Sequence, residues 1–353
     1  MARKKKDAAE EVKKSAAQEV VEQINKMYKR EVLSTADKKP PIRQIPLMNP
    51  EFDRITQGGV LVNRINEFLG ANGSLKTYHA ILAVVAFQKE FPDMDAAFVD
   101  VEGTLDTVLC KKLGVDLSRM LYMQPESLEQ AVDTAQILLA NDKISLVVFD
   151  SMHAVGSAAE TEKSMEDDQM AVNARFWNKA TRKFQASLNM NTGKDTTLVV
   201  INSVYSKVGF VMGNPEEIKN GNQMKYAKSL SVNFVPLKEL PGKDPVTNED
   251  CTIGRHIKMK VLKNKAGRPF LKSDFFFSFI PHNGLPPATF DFVDQIVRIA
   301  IRLGFVEQAG AWIKYNGDKI QGIDNFVETA REDVNLQEEL TDAVYTHITT
   351  KDV

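Results

Sequence analysis

The sequence predicts an α/β fold in which a doubly wound, mostly parallel sheet is flanked by helices. Three observations predict it. Short apolar runs, Ala96–Val99, Ile144–Phe149 and Thr197–Ile201, are bounded by polar residues, as strands buried on both faces are. Between them, Lys76–Glu90, Ser127–Leu139 and Met170–Leu188 carry helical periodicity. A glycine-containing loop joins the run Ile65–Leu69 to the first of these helices. Strand alternating with helix implies parallel strands joined by crossovers.

Composition bounds the rest. The chain has 353 residues, 43% of them hydrophobic, so it has the makings of a core and of about two domains. No apolar run reaches the ~18 to 20 residues of a membrane span. The start, MARKKKDAAEEVKK, has no apolar stretch behind its basic residues and does not read as a secretory signal. Two cysteines, Cys110 and Cys251, make no disulfide framework, and an intracellular compartment is expected. The net charge of −2 announces no nucleic-acid partner in bulk, so any such binding falls to local loops.

Residues 1–39 stand apart, with 11 Lys or Arg against 7 Asp or Glu. Val12, Ala16, Val20, Ile24 and Met27 recur every three or four positions, an amphipathic helix. Lys38-Lys39-Pro40-Pro41 is expected to stop it. The helix reads either as a locally packed surface helix or as one docked on a neighbouring subunit. Further strands, including Phe275–Ile280, are expected within 251–280. A helical region follows from about 289, interrupted at Gly310-Ala311-Trp312 and at Asn316-Gly317, a hairpin-turn signal.

The clearest chemical feature is Gly70-Ala71-Asn72-Gly73-Ser74-Leu75-Lys76-Thr77, close to the phosphate-loop pattern G-x-x-x-x-G-K-[ST]. Backbone N–H groups and a helix N-terminus would face phosphate oxygens, Lys76 would reach the β- and γ-phosphates, and Thr77 would bind Mg²⁺. Leu75 stands where the pattern has glycine, and alone the match is compatible with an ordinary glycine-rich turn. Asp150, ending the apolar run Ile144–Phe149, has the position of a carboxylate that holds Mg²⁺; alone, it reads as a turn cap. Glu102, just after Ala96–Val99, would orient and deprotonate a water, or else is a solvated turn residue.

At these residues a resemblance appears. Phe98-Val99-Asp100-Val101-Glu102-Gly103-Thr104-Leu105-Asp106, Lys112-Leu113-Gly114-Val115-Asp116, Val148-Phe149-Asp150-Ser151, Gly213-Asn214-Pro215-Glu216, Val261-Leu262-Lys263-Asn264-Lys265 and Gly310-Ala311-Trp312 are similar to the bacterial RecA recombinase family, over roughly residues 18 to 348. The resemblance implies a RecA-like P-loop ATPase core at 49–285, an N-terminal helix and tether for subunit contact at 1–48, and a small α+β C-terminal domain at 286–353. It implies ATP and Mg²⁺ as cofactors, with Glu102 as catalytic glutamate. Asp106 and Leu109 would contact adenine, and Ser203 falls where the family's glutamine reports the γ-phosphate to the DNA loop, a gap it is too short to span without water. Lys263 and Lys265 would reach the γ-phosphate of the adjacent protomer's ATP; without the family they read as residues of one strand face. Two DNA-binding loops fall at about 163–171 and 203–222. The first carries Met170, with Arg175 beyond it. The second carries Lys207, Val208, Gly209, Phe210, Val211, Met212, Gly213, Asn214, Lys219, Gly221 and Asn222, whose apolar tip would wedge between bases.

The sequence departs from the family's pattern at Leu75 (glycine), Leu109 (the adenine-stacking tyrosine), Ser203 (glutamine), Tyr205 (a basic residue) and Asn220 (glycine). Thr350-Lys351-Asp352-Val353 ends the sequence without a long acidic tail. A divergent or phage-type member, acting in the cytoplasm of a bacterium or infected host, is expected. The implied function is ATP-dependent filament formation on single-stranded DNA, with homologous pairing and strand exchange with duplex DNA. The alternative is a mediator or structural filament with weak ATPase activity.

Overall fold

The computed structural model describes residues 15–29, 31–152, 169–190, 194–206, 216–217 and 221–350. The chain divides into two compact units, 1–42 and 43–353. In the first, helix α1 (Ala16–Tyr28) begins with a reciprocal cap. The Ser15 hydroxyl accepts from the Gln18 N–H at 3.3 Å and the Gln18 amide oxygen accepts from the Ser15 N–H at 2.8 Å. The helix ends well before the prolines, at Lys29 in the left-handed conformation. Asn25 accounts for the early stop: its Oδ1 accepts from the N–H groups of Val32 and Leu33 and its Nδ2 donates to the Leu33 carbonyl. No residue of α1 is buried, and Val20 and Met27 of its apolar stripe are exposed; Val12 lies outside the described residues.

The second unit opens with β1 (Gln44–Ile45), α2 (Pro50–Thr56) and β2 (Val60–Leu61). Then come β3 (Ile65–Gly70), α3 (Lys76–Glu90), β4 (Asp95–Asp100), α4 (Thr107–Leu113), β5 (Met120–Met123), α5 (Leu128–Ala140), β6 (Ile144–Asp150), α6 (Gln169–Met190) and β7 (Thr197–Ser203). Two-residue strands β8 (Tyr205–Ser206) and β9 (Glu216–Glu217) pair antiparallel, and α7 (Gly221–Ala227) leads into a long hairpin of β10 (Leu230–Lys243) and β11 (Asp250–Asn264). Strands β12 (Lys272–Ser278) and β13 (Thr289–Phe290) complete the sheet.

The nine-stranded sheet has the order β13-β12-β11-β10-β3-β7-β6-β4-β5. From β10 to β5 every neighbour is parallel; β11, β12 and β13 extend it antiparallel. Strands β3, β6 and β7 are buried along their whole length, because helices cover both faces. On one face Val147, Phe149, Leu198 and Val200 pack against Ala131 and Ala135 of α5 and Trp177 and Phe184 of α6. On the other, Phe52 of α2 meets Phe68 edge-on and stacks on Phe234 of β10.

Two expectations shift by a few residues. The strand expected at Phe275–Ile280 runs from Lys272 to Ser278, after which the Phe279 N–H turns to the Ile253 carbonyl. Lys263 lies in β11, but Lys265 lies just past its end, where its N–H bonds the Ser229 carbonyl at 2.9 Å.

The region after β13 is not helical throughout. Helices α8 (Phe292–Leu303), α9 (Ile323–Glu332) and α10 (Val334–Thr349) accompany a largely exposed three-stranded antiparallel sheet of β14 (Glu307–Ala309), β15 (Trp312–Tyr315) and β16 (Asp318–Gln321). Ile296, Val297, Ile313, Phe326 and Val344 form its core. Asn316 (φ 49°) and Gly317 (φ 92°) make the expected two-residue turn between Tyr315 and Asp318. Among the described residues no helix is long and apolar enough to cross a membrane.

Candidate functional site

The carboxyl ends of β3, β7, β6 and β4 lie side by side, which sets Gly70 opposite Ser203 and Asp100 opposite Asp150. The chain leaves β3 and re-enters the sheet at β4, beyond β7 and β6. Ligands of open α/β sheets bind at such an edge.

The loop from Gly70 to Thr77 wraps tightly. A Cβ on Gly70 would stand 2.3 Å from the Phe234 carbonyl oxygen and 2.5 Å from the Ser74 hydroxyl, so only glycine fits. Ala71 and Asn72 are exposed and Ser74 is buried. Leu75 adopts φ 67°, ψ 25°, the left-handed conformation its glycine counterpart reaches freely. For a leucine this conformation costs about 1 to 2 kcal/mol. Its neighbour His79 holds it there. The His79 backbone N–H and Nδ1 lie 3.1 and 2.9 Å from the Leu75 carbonyl oxygen, and Nε2 lies 3.1 Å from Asn49 Nδ2. The carbonyl only accepts, so Nδ1 carries the proton; Asn49 Nδ2 donates to Nε2, and the ring is neutral. Burial among Phe52, Phe234 and Phe275 pushes the His79 pKa down to about 4.

Lys76 is buried and donates to the Ala71 carbonyl at 2.8 Å. Burial lowers its pKa, against the charges of Asp150 and Glu102. The Thr77 hydroxyl donates to Asp150 Oδ2 at 2.7 Å. Burial above all, helped by Glu102 and Asp100, pushes the Asp150 carboxyl up to about 6. Glu102 is exposed and accepts from the Ser151 hydroxyl at 2.6 Å. Its turn is built by Asp100, which accepts from the N–H groups of Gly103 and Leu105 at 2.9 Å each. Lys76, Thr77, Glu102 and Asp150 thus converge on one edge. Among the described residues no group of three His, Cys, Asp or Glu could hold a metal unaided. One hydroxyl and one carboxylate match the small protein share of a Mg²⁺ ion that also binds phosphates.

Asp106 caps α4: its Oδ1 accepts from the N–H groups of Val108 and Leu109 at 2.8 and 3.1 Å, and Leu109 is half-buried. The Ser203 N–H donates to Asn202 Oδ1 at 2.9 Å, and Asn202 Nδ2 donates to buried Glu67 at 3.1 Å. Glu67 is also ion-paired with buried Lys228 and accepts from the Ser231 hydroxyl at 2.6 Å.

Sequence comparison bears on what this edge is for. The RecA N-terminal domain family matches residues 15–282. The chain belongs to the RecA family. It is 32% identical over 292 residues to protein RecA of Bacteroides thetaiotaomicron, covering 82% of each chain. It is 31% identical over 333 residues to protein RecA of a Sulfurovum species, covering 93% of this chain and 91% of that one.

The remaining residues of this RecA-family chain fall elsewhere. The Lys263 ammonium donates to the carbonyls of Lys225 and Tyr226 at 2.7 and 3.3 Å, at the end of α7. Lys265 is exposed. Among the described residues no hydrogen bond or ion pair joins either lysine to the Gly70–Thr77 loop of its own chain. Arg175 is exposed on α6, Met170 lies in its first turn, and Gly221 and Asn222 open α7. Lys207, Val208, Gly209, Phe210, Val211, Met212, Gly213, Asn214 and Lys219 lie outside the described residues, as does 163–168 of the first loop. Sequence reasoning did not single out His79 and Asn49, which meet only in the fold. It also passed over Asp100 as a builder of the Glu102 turn and the Glu67–Lys228 pair, although a glutamate inside the apolar run Ile65–Leu69 was a visible signal.

Proposed function

We propose that this RecA-family chain is a DNA-dependent ATPase that polymerises on single-stranded DNA and promotes homologous pairing and strand exchange. The observation that carries the reading is the convergence of Lys76, Thr77, Asp150 and Glu102 at the sheet edge, within a chain of this family. Gly70–Thr77 holds the triphosphate, with Lys76 countering its charge. Thr77 and Asp150 hold the Mg²⁺ ion, which supplies further charge neutralisation when bound. Glu102 takes the proton of a water whose oxygen attacks the γ-phosphorus. The bond from that phosphorus to the bridging oxygen breaks, and its electron pair stays on the oxygen.

Lys263 and Lys265 act on the neighbouring subunit's triphosphate, which couples turnover to assembly. Asp106 and Leu109 contact the base, and Ser203, shorter than the family's glutamine, couples the site to the DNA loop it opens more weakly, through water. Residues 1–48 contact the neighbouring subunit, 49–285 carry the ATPase and DNA loops, and 286–353 gather duplex DNA.

The test is ATP turnover with and without single-stranded DNA, together with strand exchange. Stimulated turnover and exchange are expected, and Lys76→Ala is expected to abolish ATP-dependent pairing. Exchange at the wild-type level by that variant would remove the phosphate loop from the mechanism. The left-handed Leu75 supports a second reading, a mediator or structural filament with weak ATPase activity. DNA binding with little turnover is its outcome in the same assay.

A further inference from the structure

The hairpin of β10 and β11 brings a second cation to the phosphate loop. Arg255 pairs across the hairpin with Glu239, and the two side chains form an ion pair. Arg255 Nη1 reaches beyond the hairpin and lies 3.4 Å from the Gly73 carbonyl oxygen. A Cβ on Gly73 would stand 3.3 Å from the same nitrogen, a tight contact that a shift of the guanidinium by a few tenths of an ångström would relieve. The guanidinium carbon also lies 5.9 Å from the ring centre of Phe279, which is 37% exposed. Arg255 Nε is buried and has no hydrogen-bond partner among the described residues.

These contacts do not use up the arginine. A guanidinium has five N–H donors and no acceptor. The bond to Gly73 is long for N–H···O. A buried donor without an acceptor is costly, so the guanidinium is not fully satisfied by the groups of its own chain. The ligand chemistry follows from the neighbour. A loop whose backbone suits phosphate lies against a guanidinium, and the planar fork of arginine matches phosphate oxygens better than any other side chain does.

We propose that Arg255 contacts a phosphate oxygen of the bound nucleoside triphosphate within the same subunit and thereby sets nucleotide affinity, with Glu239 holding it in reach. The proposal rests on the nucleotide-binding reading above. It adds a cation distinct from Lys76 and from the two lysines of the neighbouring subunit.

Equilibrium binding of ATP, and KM and kcat for its hydrolysis on single-stranded DNA, test it with the full-length wild type, Arg255→Ala, Arg255→Lys and Glu239→Gln. Arg255→Ala is expected to raise the Kd and KM for ATP roughly tenfold, the loss of one charge-assisted hydrogen bond, with kcat and melting temperature little changed. Arg255→Lys recovers part of the affinity, because it keeps the charge and loses the fork. Glu239→Gln, which keeps the cation, has the smaller effect. Equal ATP affinity in wild type and Arg255→Ala overturns the proposal alone. Matching affinity losses in Arg255→Ala and Glu239→Gln, with lowered melting temperatures, also overturn it, in favour of a hairpin clasp. A wild-type chain that binds no nucleotide overturns both this proposal and the reading beneath it.

Discussion

Leu75 and His79 form one device. A leucine in left-handed conformation would relax unless something opposed it, and the His79 imidazole opposes it by donating to the Leu75 carbonyl from a fully buried, aromatic-lined position. His79→Leu removes that donor and leaves Asn49 Nδ2 without its acceptor. The variant should lose about 1 to 3 kcal/mol in urea unfolding of the full chain, the cost of buried polar groups left unmade. An unchanged midpoint would mean that the helical N–H of His79 is enough. Leu75 was legible as a departure, because it broke a pattern of residue types. Its partner was not: a lone histidine on a helix gives no sign of which carbonyl it will meet.

The regular elements were legible wherever burial is two-sided. Apolar runs became β4, β6 and β7 because both sheet faces are covered, and Lys76–Glu90 became α3 with the same bounds. Ends were less legible. Helix α1 stops through a side-chain cap from Asn25 rather than at a proline, and β11 closes before Lys265. In the C-terminal region Asn316-Gly317 announced its turn, because two consecutive positive φ angles favour those residues. Gly317→Ala should cost about 1 to 2 kcal/mol locally and speed amide exchange in β15 and β16 roughly tenfold or more. Exchange at the wild-type rate would show that the turn does not hold the hairpin.

Two consequences belong to the molecule as a whole. Asp53 of α2 accepts from the Leu47 N–H at 2.8 Å and from the Tyr345 hydroxyl of α10 at 2.9 Å. Burial pushes its carboxyl up to about 7. The folded chain therefore keeps a proton that the unfolded chain releases near pH 4, and the stability this group contributes is full below that value. It is lost as pH rises toward 7, by on the order of a few kcal/mol. Asp53→Asn should flatten that part of the pH profile of the unfolding midpoint; parallel profiles would mean that Asp53 is ionised in the fold. The second consequence concerns assembly. If Lys263 and Lys265 serve the neighbouring site, mixing Lys263→Ala/Lys265→Ala protein with Glu102→Ala protein should restore some turnover, because some interfaces then carry both intact halves. No recovery at any ratio would count against a shared site.

The sequence by itself determined the family and the alternation of strands and helices, and it singled out the glycine loop Gly70–Thr77 with Glu102 and Asp150, because these are written in local runs and fixed spacings. Only the tertiary structure decided which groups meet. It brought Asp150 to Thr77, His79 and Asn49 beneath Leu75, Lys228 to Glu67 and Arg255 to Gly73. The reason is physical: hydrogen bonds and ion pairs act over a few ångströms, and residues far apart in the chain come within that range only when the sheet order and the crossings of its helices set them there.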